Sequence, residues 1–155
     1  ATIAYSPEGD DPLETAGGII NALPLLGNQP FLVVNGDIAT DFPFAELHNK
    51  PVNLAHLVLI DNPPHHIQGD FGIDSSGNVT DSDNERFTFS GIGLYHPDLF
   101  ENTLPGKSKL APLLREAISE RRVTGQYYSG FWMDIGTPER LQELDSHLRG
   151  RNKMM

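Results

Sequence analysis

The sequence has no cysteine among its 155 residues, which excludes disulfide frameworks, zinc ribbons and thiol catalysis. Basic side chains are also few: 11 Lys and Arg stand against 21 Asp and Glu, and the formal net charge is −10. Because nucleic-acid phosphates bind basic surfaces, this charge argues against a general nucleic-acid binder. No apolar run approaches the roughly 20 residues of a transmembrane helix, so we expect no membrane partner.

The composition that remains is typical of one ordinary folded domain. Apolar residues make up 38% of the chain, too many for a disordered segment of low hydrophobicity. No charged segment followed by an apolar one opens the sequence, which favours a cytoplasmic protein. We predict a single domain over residues 1–148 and a frayed basic tail over residues 149–155.

Apolar periodicity predicts strands that alternate with helices. Strands are predicted at residues 3–5, 31–34, 54–60, 87–95 and 126–133, and a hairpin joins 71–73 to 79–80. Helices are predicted to begin at the hydroxyl caps Thr15, Ser108 and Thr137. The continuous apolar runs at 31–34 and 54–60 are typical of strands buried on both faces in a parallel sheet. Together these elements predict an α/β architecture with a mixed sheet.

Two aspartates stand where predicted strands end. Asp37 closes the polar triplet after the strand at 31–34, and Asp134 closes an apolar run just before the helix that Thr137 caps. In open α/β sheets ligands bind beyond the carboxyl ends of strands, and Mg²⁺ takes one or two carboxylates plus substrate phosphates. The bland alternatives are a strand-terminating turn for Asp37 and a helix cap for Asp134.

Two other features are weaker signals. Gly17 and Gly18, at the start of the first helix, can leave backbone N–H groups free for an anion or a base edge, although most such pairs serve packing or turns. His65 and His66 suggest a solvated or substrate-facing loop more than a zinc site, because no third ligand stands at useful spacing.

Four segments, in this order, resemble the sugar-1-phosphate nucleotidylyltransferase family. They are Ser6-Pro7-Glu8 with Leu13-Glu14-Thr15-Ala16-Gly17-Gly18, then Phe31 to Asp37, then Phe89-Ser90-Gly91-Ile92, and finally Met133 to Pro138. Lys109-Leu110-Ala111-Pro112-Leu113-Leu114 and Asp61-Asn62-Pro63 with His65-His66 are similar to the bacterial uridylyltransferases of N-acetylmuramate 1-phosphate. Mannose-1-phosphate guanylyltransferases and glucose-1-phosphate thymidylyltransferases are close alternatives.

The resemblance implies a Rossmann-like, three-layer nucleotidyltransferase fold with a mixed sheet. It implies transfer of a nucleotidyl group from a nucleoside triphosphate, UTP in this branch, to a sugar 1-phosphate, with release of pyrophosphate and with Mg²⁺ as cofactor. Asp37 and Asp134 would be the catalytic, metal-binding residues. The nucleotide would contact Glu14, Thr15, Gly17, Gly18 and Asn35. The sugar would contact Gly69, Asp70, Ser90, Gly91 and Lys109, although a solvated lysine at a helix start is the commoner reading of Lys109.

The sequence also departs from the family. The family's opening strand, its Gly-rich loop with an Arg, and its Pro-Lys pair do not occur in these residues, and the family's Glu-Lys-Pro reads Asn84-Glu85-Arg86 here. Arg86, Lys107 or Lys109 would then replace the sugar-phosphate lysine. We therefore expect the C-terminal two-thirds of the family fold, lacking its N-terminal strands and inactive alone. The bared strand at 31–34 would drive self-association.

Two other functions remain open at this point. A non-catalytic nucleotide-sugar binding module would keep the base and sugar segments without needing paired acids. A glycosyltransferase also holds a metal with acids at strand ends, but Asn35-Gly36-Asp37 offers one acid where an Asp-x-Asp pair is usual, which lowers that interpretation.

Overall fold

The computed structural model describes residues 2–82 and 85–152. Those residues form three α-helices: α1 (Glu14–Leu26), α2 (Leu110–Ser119) and α3 (Pro138–Asn152). Their strands are β1 (Phe31–Val34), β2 (Ile38–Thr40), β3 (Ala55–Ile60), β4 (Gly72–Ile73), β5 (Val79–Thr80), β6 (Thr88–Tyr95), β7 (Val123–Tyr127) and β8 (Trp132–Asp134). Short 3₁₀ helices lie at Phe44–Leu47 and Pro97–Phe100.

The central sheet has four strands in the order β1-β6-β3-β7. β6 pairs antiparallel with both β1 and β3, and β3 pairs parallel with β7. The prediction of a mixed sheet in an α/β fold is therefore confirmed, and so is the hairpin formed by β4 and β5. The prediction that β1 is a parallel strand buried on both faces is wrong: β1 is antiparallel and lies at the edge of the described sheet, where Leu32 and Val34 stay about two-fifths exposed.

Alternation along β3 divides the core into two layers, because successive strand residues face opposite sides of the sheet. Leu57 and Leu59 pack into a large cluster with residues of α1 and α2. Val58 faces a smaller cluster with Phe42 and Leu47 on the other side. All residues of β3 are buried, which explains why its sequence is apolar except at His56.

A separate two-stranded ladder joins β2 to β8. The predicted strand at 126–133 is in fact two strands, because the chain turns away after β7. Hydrogen bonds to Asp41 hold this turn. The Asp41 carboxylate accepts the Phe131 N–H at 2.7 Å, and the Asp41 N–H donates to the Phe131 carbonyl at 3.2 Å. This ladder is the element that sequence periodicity missed.

The helix starts are only partly as predicted. Thr137 does cap α3, since its Oγ1 accepts the Arg140 N–H at 3.3 Å. Thr15 instead lies inside α1, whose cap is Leu13, and Lys109 rather than Ser108 caps α2. The role expected of Thr15 falls to the Ser108 carbonyl, which accepts the N–H groups of Ala16 and Gly17 at 3.1 Å, while the Glu8 carboxylate accepts the Leu13 N–H at 2.9 Å.

The chain ends also differ from expectation. Residues 3–5 form no strand, and Ile3 and Tyr5 are largely exposed because no neighbouring strand pairs with them. α3 continues past residue 148 and includes residues 149–152 of the predicted tail; residues 153–155 lie outside the described part, and the domain boundary stays a prediction. Within the described ranges, no helix combines the length and the apolar character needed to cross a bilayer.

Candidate active site

The β2–β8 ladder brings Asp37 and Asp134 together. Ile38, which follows Asp37, pairs with Asp134 in the ladder register. The Ile135 N–H donates to the Asp37 carbonyl at 2.8 Å, so the backbones of both aspartates are held side by side at the end of the ladder. Two residues that are far apart in the sequence thus become neighbours, as the interpretation of both as metal ligands requires.

Gly136 lies against both carboxylates. A β-carbon placed on Gly136 would lie 3.1 Å from Asp134 Oδ1 and 3.3 Å from Asp37 Oδ2. The Gly136 N–H also donates to Asp134 Oδ1 at 2.8 Å. The lack of a side chain at residue 136 therefore lets both carboxylates converge on one small volume.

This pair fits a divalent cation. Both aspartates line a cavity of about 300 Å³ and offer hard carboxylate oxygens, which Mg²⁺ prefers. In the described residues no cluster of three or more His, Cys, Asp or Glu could hold a metal. A cation at this position would therefore have to complete its coordination with water or substrate oxygens, as Mg²⁺ does at phosphate-transfer sites.

Arg140 is a member of this site that sequence reasoning missed. Its Nη1 donates to Asp134 Oδ2 at 2.8 Å and to His65 Nε2 at 3.1 Å. A cation in the first turn of a helix lies at the unfavourable end of the helix dipole. That misplacement, three residues after the Thr137 cap, is the sequence signal that could have identified Arg140.

Residues of β6 and β8 form another part of the cavity wall. Trp132 Nε1 donates to the Ser90 carbonyl at 2.9 Å, and the buried Ser90 hydroxyl donates to the Val58 carbonyl at 2.7 Å. The carbonyl and the hydroxyl of Ser90 are therefore both hydrogen-bonded to other residues of the protein. Gly91 has a φ of 80°, and a β-carbon on it would lie within 2.9 Å of the Asn35 side chain, so its close approach is to Asn35.

A second cavity, of about 480 Å³, adjoins the first and shares Asn35 and Phe89 with it. Its other lining residues include predicted nucleotide and sugar contacts: Glu14, Thr15, Asp70 and Lys109. The two cavities form one cleft, with the carboxylate pair at one end and the N-terminal ends of α1 and α2 at the other.

The known proteins that this chain resembles in sequence are nucleotidyltransferases. No family model matches the chain. Over 149 residues the chain is 49% identical to N-acetylmuramate alpha-1-phosphate uridylyltransferase of Neisseria meningitidis serogroup B, covering 91% of this chain and 64% of that protein. It is 27% identical to the protein of the same name from Caulobacter vibrioides, covering 88% of this chain and 62% of that protein.

Both relatives are sugar-1-phosphate uridylyltransferases by name, and the chain is similar to them over most of its own length. The fold agrees: a structure from Bacillus anthracis, described as a glucose-1-phosphate thymidylyltransferase, superposes with a TM-score of 0.70 at 20% identity, covering 87% of this chain and 61% of that chain. The chain spans less than two-thirds of the length of each of these three proteins.

Not every residue that the family resemblance singled out reaches the cleft. Gly17 is buried, its N–H donates to the Ser108 carbonyl at 3.1 Å, and a β-carbon on it would lie 2.3 Å from the Gly106 carbonyl oxygen. Gly18 lies under the Glu8 carboxylate, and Gly69 packs against Asn62. These contacts give the three glycines packing roles in this structure, and none of them lines either cavity of the cleft.

The three cations named as replacements for the family's lysine are placed differently. Arg86 donates to the Asp81 carboxylate at 2.6 Å and to the Asp70 carbonyl at 2.8 Å, so its guanidinium already binds other residues of the protein. Lys107 is two-thirds exposed and lies 3.7 Å from Glu14. Of the three, Lys109 lines the cleft. Residue 84, the first of the segment that stands in place of the family's Glu-Lys-Pro, lies outside the described part.

Proposed function

We propose that this site transfers a nucleotidyl group from a nucleoside triphosphate to a sugar 1-phosphate and releases pyrophosphate. The observation that supports this most directly is the convergence of the Asp37 and Asp134 carboxylates around Gly136, at one end of a cleft that also contains Asn35 and Lys109. A phosphate oxygen of the sugar would attack the α-phosphorus, and the bond to the β-phosphate would break. The reaction needs no covalent enzyme intermediate, which agrees with the absence of cysteine.

The residues of the cleft divide the work by position. Asp37 and Asp134 would hold Mg²⁺, which when bound neutralises phosphate charge and orients the reacting groups. Asn35 lies where the two cavities meet, so its amide can donate to either substrate. Trp132, held by its bond to the Ser90 carbonyl, forms part of the wall of the first cavity. Catalysis of this kind rests on positioning and charge neutralisation.

We further propose UTP and N-acetylmuramate 1-phosphate as the substrates, with the cytoplasm as the location of the reaction. The names of the Neisseria and Caulobacter relatives support this choice. N-acetylmuramate carries a carboxylate on its lactyl group, and Lys109 lines the second cavity beside Thr15 and Asp70. We assign Lys109 to that carboxylate, and Glu14 and Thr15 to the nucleotide base.

The test measures binding and turnover in the full chain. Calorimetry with UDP-N-acetylmuramate should show binding that requires Mg²⁺, and release of pyrophosphate from UTP should require the sugar 1-phosphate. The resemblance assigns the phosphate-binding Arg and Lys to a segment outside this sequence, so we expect turnover to be slow and binding to be the primary readout. D37N and D134N should each weaken Mg²⁺-dependent binding at least about tenfold, because each removes a charged metal ligand.

The matched control is D145N, which changes an exposed aspartate of α3 whose partner is Arg149. It should bind like the unmodified chain. If D37N binds the nucleotide sugar as tightly as D145N, the site is a non-catalytic binding module. If no Mg²⁺-dependent binding and no pyrophosphate release occur, the proposal fails.

A further inference from the structure

Asp134 already has a cationic partner inside the candidate metal site. The Arg140 guanidinium lies 2.8 Å from Asp134 Oδ2, and both side chains are about one-quarter exposed. A β-carbon on Gly136 would contact both Asp37 Oδ2 and Asp134 Oδ1. Arg140 therefore stands against the outer oxygen of a pair of carboxylates that would otherwise repel each other.

The position of Arg140 is fixed from three directions. Its backbone N–H and its Nε both donate to Thr137 Oγ1 at 3.3 Å, and His65 Nε2 accepts from Nη1 at 3.1 Å. His65 contributes a hydrogen-bond acceptor, and the Asp134 carboxylate is the partner that carries the opposite charge to the guanidinium. Arginine does not lose its proton in proteins, so this charge is permanent.

A permanent cation at one ligand must oppose the binding of another cation to that ligand. Two positive charges only a few ångströms apart repel each other strongly in a site that is partly shielded from water. An incoming polyphosphate has the opposite effect, because its negative charge offsets that of Arg140. The ion pair thus distinguishes a bare divalent cation from a cation that arrives with phosphate.

We propose that Arg140 is a positioning residue that holds Asp134 and keeps the affinity of the two aspartates for a free divalent cation low. The inference rests on the metal site of the proposed function. On this proposal, the divalent cation binds together with the nucleotide and binds only weakly to the protein alone.

The test uses Mn²⁺ alone as the probe, measured by electron paramagnetic resonance on the full chain without nucleotide. R140Q removes the charge and should bind Mn²⁺ about five- to tenfold more tightly than the unmodified chain, in line with one unit charge removed at short range. R140K keeps the charge and should stay within about twofold. A residue with a merely structural role would give the opposite sign, because its loss would loosen the site and weaken binding.

Two further variants make the result specific. R149Q removes a cation from the same helix whose partner is Asp145, and should leave Mn²⁺ affinity unchanged. D37N/R140Q should lose the gain, because one ligand is missing. Circular dichroism checks folding, and R140A serves as the second neutral variant if R140Q does not fold.

The outcomes separate this inference from the proposed function. Unchanged or weaker Mn²⁺ binding in R140Q, with binding still dependent on Asp37, overturns the role of Arg140 and leaves the metal site intact. A gain in R140Q that Asp37 supports, in a chain that turns over no sugar phosphate, sustains the role of Arg140 while the proposed reaction fails. Absence of Mn²⁺ binding in every variant overturns the metal site and this inference together.

Discussion

At the scale of single residues, His56 is a titratable side chain buried in the core. It is 2% exposed, with Thr124 Oγ1 2.8 Å from its Nδ1 and Gln126 Oε1 3.0 Å from its Nε2. Burial lowers the pKa of His56 from its ordinary 6.5 to about 4, against the opposing effect of the Gln126 hydrogen bond. The imidazole therefore stays neutral in the folded protein at pH values where it is charged in the unfolded chain.

The pH dependence of stability follows from this difference. Above pH 6.5 His56 is neutral in both states and its full contribution is present. Between pH 6.5 and 4 the unfolded chain takes up a proton that the folded chain resists, so the free energy of unfolding falls as the pH is lowered. At pH 4.5 we expect a loss of roughly 2 kcal/mol from this group, measured by urea denaturation at pH 7 and 4.5.

The variant H56Q separates the contribution of His56 to the pH dependence of stability from that of the carboxylates. It should be less stable at pH 7 but should lose less stability on acidification than the unmodified chain. H48Q, at an exposed histidine, should keep the full pH dependence. An H56Q variant that loses as much stability as the parent between pH 7 and 4.5 would contradict the assignment.

The chemistry of the site was partly visible in single residues. Asp37 and Asp134 were named together because each follows a predicted strand, and the β2–β8 ladder does bring them together; their role as metal ligands stays a prediction. Arg140 was not predicted, because its role depends on the Asp134 side chain, which reaches it only when β8 and α3 are folded against each other. Lys109 was named from resemblance and does line the cleft; its contact with a substrate stays a prediction.

At the scale of elements, α1 meets the loop before α2 through Gly17. The N–H groups of Ala16 and Gly17 both donate to the Ser108 carbonyl at 3.1 Å, and the Ser108 N–H donates to the Leu13 carbonyl at 2.9 Å. This reciprocal bonding presses the loop so closely on α1 that the Gly106 carbonyl occupies the space of a Gly17 side chain. Gly17 is thus a packing residue between two elements that both line the cleft.

The adjacent glycine provides a matched comparison. G17A should destabilise the chain by about 1–3 kcal/mol, because the new methyl group meets backbone that cannot move freely. G18A meets the end of the flexible Glu8 side chain at 2.6 Å and should change stability by less than about 1 kcal/mol, since alanine also favours the helix. Urea denaturation of both variants measures the difference. Equal stabilities of G17A and G18A would show that the loop yields easily.

Elements were predictable where their pattern is local. The hairpin of β4 and β5 and the start of α3 carry their own turn and cap residues, and both were predicted. β2 has three residues without a distinct alternation, and it exists because β8 pairs with it. The split between β7 and β8 likewise depends on Asp41, which lies far away in the sequence. Strands that a distant partner defines could not be found from local periodicity.

At the scale of the whole molecule, the open edge of β1 is the feature with consequences. Asn35, next to β1, donates its N–H to the Gly91 carbonyl at 2.9 Å. Since hydrogen-bonded residues alternate in an antiparallel ladder, the backbone groups of Leu32 and Val34 point away from β6. Their side chains are about two-fifths exposed, and a groove beside them is lined by Ile19, Ala22 and Leu26. An edge of this kind is a template for another strand.

We propose that the chain self-associates through this edge, and the net charge predicts how. Two copies that each carry −10 repel each other, and salt screens that repulsion over a Debye length of about 10 Å at 0.1 M. Association should therefore strengthen with salt, whereas a contact made of ion pairs would weaken. L32K/V34K should shift sedimentation equilibrium toward monomer by about tenfold or more. L148K, at a half-exposed leucine on α3, should not.

Lysines at the edge both remove apolar surface and bring like charges together at a shared edge, so the double variant should stay monomeric even at high salt. A parent chain that sediments as a monomer at millimolar concentration and high salt would contradict the proposal. An association that L148K abolishes and L32K/V34K leaves intact would move the contact from β1 to α3. The salt dependence and the two variants therefore locate the contact as well as detect it.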